Sequence, residues 1–288
     1  MRNLRLLALI PHPRELLIHQ PFNPVGDGLF GIQTVPNATL REEAELLASC
    51  RKAMSAGATV GLVPAEMKIG AVFFDMDATV IAEESIVELA KVAGKESEVA
   101  AVTEQAMAGD IDFAESLTRR VGLLRGVPAS ILPEIAEGLT LNPGIQSFVG
   151  FCRQINVPVY MVSGGFHQLA EVVNRKVGFS GFLANRLGVA GDALSGSVDG
   201  SIIDAAAKKQ YLLSTCERIG IPPGSSAAVG DGANDLLMLQ SAGVAVGFQP
   251  KPVLISHLHA ANFKGDHRML APLLFGRDLT IRRSAVPI

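Results

Sequence analysis

A short apolar segment that ends in two acidic residues constrains this chain more than any other feature. Residues 71–79 read AVFFDMDAT, so Asp75 and Asp77 follow directly on an apolar run. A run without alternation predicts a central strand covered on both faces, with its carboxylates at the edge where α/β sheets bind ligands. Two acids there repel each other unless a cation or a shared proton intervenes. The pattern therefore indicates a metal-assisted acid pair, and an acidic loop that caps the next helix is the alternative.

A second apolar run ends in small residues instead of acids. Residues 157–165 read VPVYMVSGG, and a helical pattern follows Ser163 and Gly164. Backbone N–H groups between a strand and a helix can bind an anion, which the helix dipole also favours. Lys208 is a candidate counter-charge for the same anion. The alternative for the serine segment is a tight turn without a ligand. The alternative for Lys208 is a solvated position on a helix surface.

A third segment adds further acids. From residue 225 the chain reads SSAAVGDGANDLL, so a strand of small residues leads to Asp231, Asn234 and Asp235 at the start of a helix. Magnesium prefers oxygen ligands from one or two carboxylates together with phosphate and water. A second acidic loop opposite the first would complete such a site. A glycine-rich turn with an Asn or Asp helix cap is the alternative.

In their order along the chain, these segments resemble the motifs of the haloacid dehalogenase-like phosphatases. From about Ile69 onward the resemblance is to the phosphoserine phosphatase branch, and it extends into the insert between the first two motifs. The family implies an α/β fold: a Rossmann-like parallel-sheet core with a helical cap insert, here beside a small N-terminal α+β domain. Within the cap, the positions that meet the serine part of the substrate would be Glu84, Met107, Phe113 and Arg120.

The resemblance also implies catalytic roles. Asp75 would be the nucleophile that forms an aspartyl-phosphate, and Asp77 the general acid and then the base. Mg²⁺ would be held by Asp75, the backbone carbonyl of Asp77, and Asp231. The phosphoryl oxygens would be bound by Ser163, the Gly164 N–H and Lys208. The lysine, water and metal would be supported by Asn234 and Asp235.

The recognition of phosphoserine has a chemical basis in two of these residues. Phosphoserine carries an ammonium and a carboxylate, so an acid and a guanidinium would recognise its head group through charge-assisted contacts. Glu84 and Arg120 supply these groups. One departure from the family is Ala78, where serine is common. Because both aspartates are kept, we expect this change to tune activity and not to abolish it.

Composition narrows the function classes. The chain has 288 residues, 48% of them hydrophobic, which is enough for two domains with a substantial core. A net charge of −3 gives no indication of nucleic-acid or anionic-membrane binding. Three widely spaced cysteines without a C-x-x-C pattern predict neither a disulfide framework nor a zinc site. Without a convincing signal peptide or membrane-spanning run, the expected location is the cytoplasm.

The chain divides by pattern into two domains. Residues 1–66 predict a small α+β domain whose helix opens with a capping box at Thr39 and Glu42. Residues 67–288 predict the catalytic domain, with the helical cap at about 84–143 and a hairpin within 182–203. No motif assigns a ligand to the N-terminal region, so dimerisation, simple packing and regulation all stay open. Oligomeric state is not readable from the sequence.

The function expected from the resemblance is Mg²⁺-dependent hydrolysis of O-phospho-L-serine to serine and phosphate, a step of serine biosynthesis. Two alternatives remain at this point. One is a related phosphatase or phosphotransferase that acts on another small phosphate ester. The other is a catalytically silent, amino-acid-binding regulatory protein.

Overall fold

The structure is a computed structural model that describes residues 1–9, 23–25 and 30–277. Within these residues the strands are β1 Arg2–Leu9, β2 Asn23–Val25, β3 Phe30–Ala38, β4 Val60–Pro64, β5 Ala71–Phe74, β6 Val159–Phe166, β7 Gly181–Ala190, β8 Ala193–Asp199, β9 Ser226–Gly230, β10 Val244–Phe248 and β11 Ala260–Asn262. The α-helices are α1 Leu40–Ser55, α2 Ser85–Ala93, α3 Glu96–Ala108, α4 Phe113–Gly122, α5 Leu132–Gly138, α6 Ile145–Gln154, α7 His167–Val177, α8 Ala205–Arg218, α9 Leu236–Ser241 and α10 Leu270–Phe275.

All eleven strands form one sheet, in the order β2-β3-β1-β4-β11-β10-β9-β5-β6-β7-β8. The six strands from β11 to β7 are mutually parallel, whereas β8 and the four N-terminal strands pair antiparallel with their neighbours. Strand β5 lies between β9 and β6, and all four of its residues are buried. A parallel sheet covered on both faces explains why AVFF carries no alternation. The predicted α/β fold with a Rossmann-like parallel core is confirmed.

The N-terminal strands extend this sheet instead of forming a second one. Strand β4 pairs antiparallel with β11, with Gly61 opposite Ala260, and the Leu62 N–H donates to the His259 carbonyl at 2.9 Å. This contact closes the edge of the parallel sheet, which would otherwise expose unpaired backbone groups. The division at residue 66 remains a prediction, since the sheet is continuous across it.

Two hydrophobic clusters cover the two faces of the sheet, and each contains residues from both predicted domains. On one face, Leu7 of β1 and Val63 of β4 belong to the cluster that includes α10. On the other face, Leu6 of β1 and Met54 of α1 belong to the cluster that includes Phe73 of β5. The core is therefore shared between the N-terminal strands and the catalytic part of the chain.

Helix α1 begins as the sequence predicts. Thr39 accepts a hydrogen bond from the Glu42 N–H at 3.2 Å, and the Glu42 carboxylate accepts one from the Thr39 N–H at 2.8 Å. These two bonds satisfy backbone donors that the first helical turn leaves free. The helix ends before Gly57, which has φ of +82°, a conformation that glycine adopts without steric cost.

The insert after β5 is helical, as predicted. It comprises α2, α3, α4 and α5, which lie between the end of β5 and the start of α6. The hairpin predicted within 182–203 is formed by β7 and β8. Among the described residues, no helix combines the length and the apolar composition that a membrane span requires.

The pairing of β4 with β11 makes a prediction about stability. A Cβ added at Gly61 would lie 2.5 Å from the Ala260 Cβ and 2.8 Å from Leu273 Cδ1, so Gly61→Ala must push the strands apart. We expect the free energy of unfolding in urea to fall by about 1–3 kcal/mol, the usual cost of overpacking.

Gly150 provides a matched control inside α6, because a Cβ there meets no atom within 4 Å. Gly150→Ala should raise the free energy of unfolding by about 0.5–1 kcal/mol, since alanine is the better helix former. Equal stability of the Gly61→Ala variant and the unmodified protein would show that the two strands are not in close contact.

Candidate active site

Three loops meet at the carboxyl edge of the sheet. Asp75 and Asp77 follow β5, Ser163 and Gly164 lie near the end of β6, and Asp231 follows β9. Because β9, β5 and β6 are adjacent and parallel, the ends of these strands lie side by side. The position between β9 and β6 is the kind of site where open α/β sheets bind ligands.

A buried lysine joins two of these loops. Lys208 of α8 lies with its Nζ 2.7 Å from Asp75 Oδ1 and 2.8 Å from Asp235 Oδ1, and all three side chains are almost completely inaccessible to solvent. Burial works against the charged lysine, but the carboxylates of Asp235 and Asp75 raise its pKa overall. Lys208 is therefore charged, in contrast to the solvated surface lysine that the sequence left open.

Asp235 also orders the loop after β9. Its Oδ2 accepts the N–H groups of Asp231 at 3.1 Å and Gly232 at 3.2 Å, while its Oδ1 accepts the lysine. Gly230 permits this arrangement, because a Cβ at that position would lie 2.4 Å from the Asp235 carboxyl group. The G-D-G-x-N-D motif thus folds into a loop around its own last aspartate.

Three carboxylates in this region form a candidate metal centre. Asp75, Asp231 and Asp235 are buried and can each bring an oxygen within 4.8 Å of the others. Burial and the charge of Asp235 raise the pKa of Asp75 well above its usual range even beside Lys208, and they also raise the pKa of Asp231. A divalent cation would relieve this repulsion, and carboxylate oxygens are ligands that hard cations prefer. The donor set therefore fits a divalent metal ion.

Asp77 contacts the base of the cap. Its Oδ2 accepts the hydroxyl of Ser85, the first residue of α2, at 2.8 Å, and its Oδ1 accepts the Ser85 N–H at 3.3 Å. Burial, followed by the charge of Glu84, raises the pKa of Asp77 to about 7. A carboxyl group with this pKa can both donate and accept a proton near neutral pH.

The cap contacts the last residues of β6. A Cβ added at Gly164 would lie 3.1 Å from Cζ of Phe113, so the aromatic ring packs against this glycine. The Ser163 hydroxyl oxygen accepts the Gly165 N–H at 2.8 Å. At Gly165, an added Cβ would lie within 3.0 Å of the side-chain oxygens of Asp77, Ser85 and Ser163. Any larger residue at Gly165 would therefore fill the centre of the site.

The two predicted head-group residues face the same region. Glu84 and Arg120 each influence the pKa of the other, and Asp77 acts on Arg120 as well. Burial lowers the pKa of the Arg120 guanidinium, whereas desolvation of the carboxylate and the charge of Asp231 raise the pKa of Glu84. An acid and a guanidinium thus lie near the candidate general acid.

The remaining predicted residues differ in their placement. Asn234 lies on the loop after β9, with its side-chain oxygen 2.7 Å from the position of a Cβ added at Gly232. Met107 lies near the end of α3 with 81% of its surface exposed, so the structure does not enclose it in the site. Its role in contacting substrate remains a prediction.

Sequence reasoning missed three residues that contact the site. They are Ser85 on Asp77, Lys251 with its Nζ 3.0 Å from Asp231 Oδ2, and Asn185 on the Gly164 carbonyl at 2.8 Å. Ser85 could have been suspected because it follows Glu84 at a predicted helix start. The other two lie in segments without a motif, and only the fold brings them to the site.

Ala78 has an unusual backbone conformation. Its φ is +52°, a left-handed value that costs a residue with a side chain roughly 1–2 kcal/mol. The Ala78 N–H donates to the Glu83 carbonyl at 3.1 Å, which holds the turn. The loop therefore closes without the serine hydroxyl that is common at this position, and the effect on activity remains a prediction.

Comparisons with known proteins agree with this geometry. Residues 69–243 match the family model described as haloacid dehalogenase-like hydrolase. A phosphoserine phosphatase of Mycobacterium tuberculosis is 40% identical over 204 residues, covering 71% of this chain and 49% of that protein. The chain thus spans about half the length of this relative.

Two solved structures are similar in fold. A haloacid dehalogenase family hydrolase from Salmonella enterica serovar Typhi has a TM-score of 0.83 at 25% identity, over 95% of this chain and 98% of that chain. A phosphoserine phosphatase carrying an analogue of its phospho-aspartyl intermediate has a TM-score of 0.66 at 33% identity, over 70% of this chain and 97% of that chain. With a family model matching more than half of its length and its motifs gathered at one edge of the sheet, the chain belongs to the haloacid dehalogenase-like hydrolases.

Proposed function

We propose that this protein hydrolyses O-phospho-L-serine to L-serine and inorganic phosphate. The observation that carries the proposal is the electrostatic influence of Glu84 and Arg120 on Asp77, on a cap whose Phe113 packs against Gly164. These charges complement the ammonium and carboxylate of a phosphorylated amino acid. The similarity to proteins named phosphoserine phosphatase supports the same substrate.

Asp75 is the nucleophile in this proposal. Its carboxylate lies at the end of β5, held by Lys208 at 2.7 Å, and its Oδ1 also accepts the Met76 N–H at 2.8 Å. A phosphate dianion repels a carboxylate, so positive charge must compensate before attack. Lys208, the Ser163 hydroxyl and the Gly164 N–H bind the phosphoryl oxygens and orient them for in-line displacement.

Attack by Asp75 forms an acyl phosphate and breaks the bond from phosphorus to the serine oxygen. Asp77 donates its proton to that leaving oxygen, and its pKa of about 7 keeps a protonated fraction at neutral pH. In the second step, Asp77 accepts a proton from water, which hydrolyses the acyl phosphate and releases phosphate. The covalent intermediate divides one difficult displacement into two.

Mg²⁺ is the metal we propose for the centre. Asp75, Asp231 and the backbone carbonyl of Asp77 would hold it, and Asp235 would support it through its bonds to the Asp231 loop. Such a cation neutralises charge on the phosphoryl group when bound. A cytoplasmic location also remains a prediction, and homodimerisation stays open.

A related phosphatase that acts on another small phosphate ester is the second candidate. The 81% exposure of Met107 favours it in one respect, since the structure does not enclose this predicted head-group contact. A residue that does not contact the head group contributes nothing to discrimination between amino-acid phosphates. A panel of substrates therefore separates the two candidates.

With Mg²⁺ present, we expect phosphate release to be fastest from phosphoserine in a panel with phosphothreonine, phosphohomoserine and sugar phosphates. Faster release from a sugar phosphate would contradict the proposed substrate.

Asp75→Asn keeps the shape of the side chain but removes the nucleophilic charge, so it should abolish turnover. Near-normal kcat in the variant would contradict the proposed nucleophile.

Asp77→Asn should slow the hydrolysis of phosphoserine by roughly 10² to 10⁴-fold, the usual contribution of a positioned acid or base. An aryl phosphate activated by an electron-withdrawing substituent has a leaving group that needs little protonation. With that substrate the phosphoenzyme should still form. Rapid-quench measurement of the first step compares the two substrates. Equal losses for both would show that Asp77 does not protonate the leaving group.

Arg120→Ala should lower kcat/KM for phosphoserine about tenfold to a hundredfold, because a charge-assisted contact contributes on the order of 1.5–3 kcal/mol. An aryl phosphate without the amino-acid head group should be nearly unaffected. Arg119→Ala is the matched control, since the neighbouring Arg119 faces Glu115 at 2.5 Å on the exposed side of α4. Equal losses for both substrates would assign Arg120 a structural or phosphate-binding role.

A further inference from the structure

The segment Ser163–Gly165, which we propose binds phosphate, interrupts the pairing of β6 with β7. Val162 of β6 lies opposite Leu183 of β7, and the next pair is Phe166 with Asn185. Three residues of β6, Ser163 to Gly165, therefore face a single residue of β7. Extra residues in one strand form a bulge that lacks regular ladder hydrogen bonds. The backbone of this bulge must be held by something other than the sheet.

The side chain of Asn185 provides that support. It is buried, and its Nδ2 donates to the Gly164 carbonyl at 2.8 Å. The other end of the same peptide unit, the Gly165 N–H, donates to the Ser163 hydroxyl oxygen at 2.8 Å. With its oxygen already accepting from Gly165, the Ser163 hydroxyl has its own hydrogen available for a phosphoryl oxygen. The orientation of one peptide plane thus links Asn185 to Ser163.

The amide oxygen of Asn185 contacts a second element of the site. It accepts the Ile203 N–H at 2.7 Å. Ile203 immediately precedes Asp204, which caps α8 by accepting the Ala207 N–H at 2.8 Å. Lys208 lies on the first turns of that helix. One buried amide therefore connects the serine loop to the start of the helix that carries the lysine.

We propose that Asn185 is a positioning residue that sets the relative placement of Ser163 and Lys208, two of the groups that bind the phosphoryl oxygens. The proposal rests on the proposed phosphatase function, because it concerns the same phosphate. Asn185 acts mainly through the peptide plane between Gly164 and Gly165, and it does not itself contact substrate.

Asn185→Leu removes both hydrogen bonds at similar volume, and Asn185→Asp keeps only the acceptor for the Ile203 N–H. We expect kcat/KM of the Mg²⁺-loaded enzyme with an aryl phosphate to fall about 10²-fold in Asn185→Leu, the scale of a misplaced binding group. The dissociation constant of orthophosphate, measured by calorimetric titration, should rise about tenfold. Asn185→Asp should show the same direction, and it decides the question if the leucine variant does not fold.

Gln168→Leu is the matched control. Like Asn185, Gln168 of α7 donates one side-chain hydrogen bond to the backbone and accepts another. Both of its bonds are to Leu187 of β7, to the carbonyl at 2.8 Å and from the N–H at 3.1 Å, and neither involves Ser163–Gly165. Its loss should lower the thermal unfolding midpoint and leave orthophosphate binding unchanged. A control that weakens orthophosphate binding as much as Asn185→Leu would overturn the proposal.

A double-mutant cycle tests the route through Ser163. In the Ser163→Ala background, Asn185→Leu should reduce kcat/KM by less than about tenfold, because coupled residues are not additive. Full additivity would overturn the proposal.

Orthophosphate titration needs no turnover, so it separates a failure of the proposed function from a failure of the role of Asn185. An unmodified protein that neither binds orthophosphate nor hydrolyses esters refutes the proposed function, whereas normal binding in Asn185→Leu refutes only the role of Asn185.

Discussion

The ion pairs of Lys208 are the interaction on which the rest of the site depends. Its buried ammonium contacts Asp75 and Asp235, which belong to loops at the ends of two neighbouring strands. Removing one partner from a buried pair generally costs about 3–5 kcal/mol, since the remaining charge stays out of water. The lysine therefore stabilises the loops and at the same time supplies charge for an anion. Structure and chemistry depend on the same three side chains.

The crowding of carboxylates around this lysine follows from the parallel sheet. Adjacent parallel strands end at the same edge, so residues far apart in sequence become neighbours there. Asp235 is bound on two sides, by Lys208 and by the backbone of its own loop, and is thereby fixed. Asp75 keeps a raised pKa, and the pKa of Asp231 is also raised although the partly exposed Lys251 and the buried Lys208 act against this rise. A bound cation would therefore stabilise the site. The repulsion that it relieves is already present in the folded protein without substrate.

Sequence patterns predicted the core of the fold and most of the site, for reasons that are local. Apolar runs, a capping box and acidic motifs at strand ends are encoded within a few residues, so β5, the start of α1 and the Asp231 loop could be recognised. Contacts between distant segments could not be recognised in this way. The pairing of β4 with β11 and the bonds of Asn185 depend on registers that no single segment specifies. Met107 shows the converse, because a motif position can match while the side chain remains exposed.

The join between β4 and β11 has a consequence for how the protein is made. Gly61 pairs with Ala260, so most of the chain lies between the two partners. A ribosome releases β1, β3 and β4 long before it synthesises β11, and domains generally fold as they emerge. The early strands must therefore wait with one edge unpaired, and such edges promote association with other chains. Pairings this distant in sequence also form slowly. Chaperone protection of the nascent N-terminal strands would matter more here than in a chain whose sheet closes with its own neighbours.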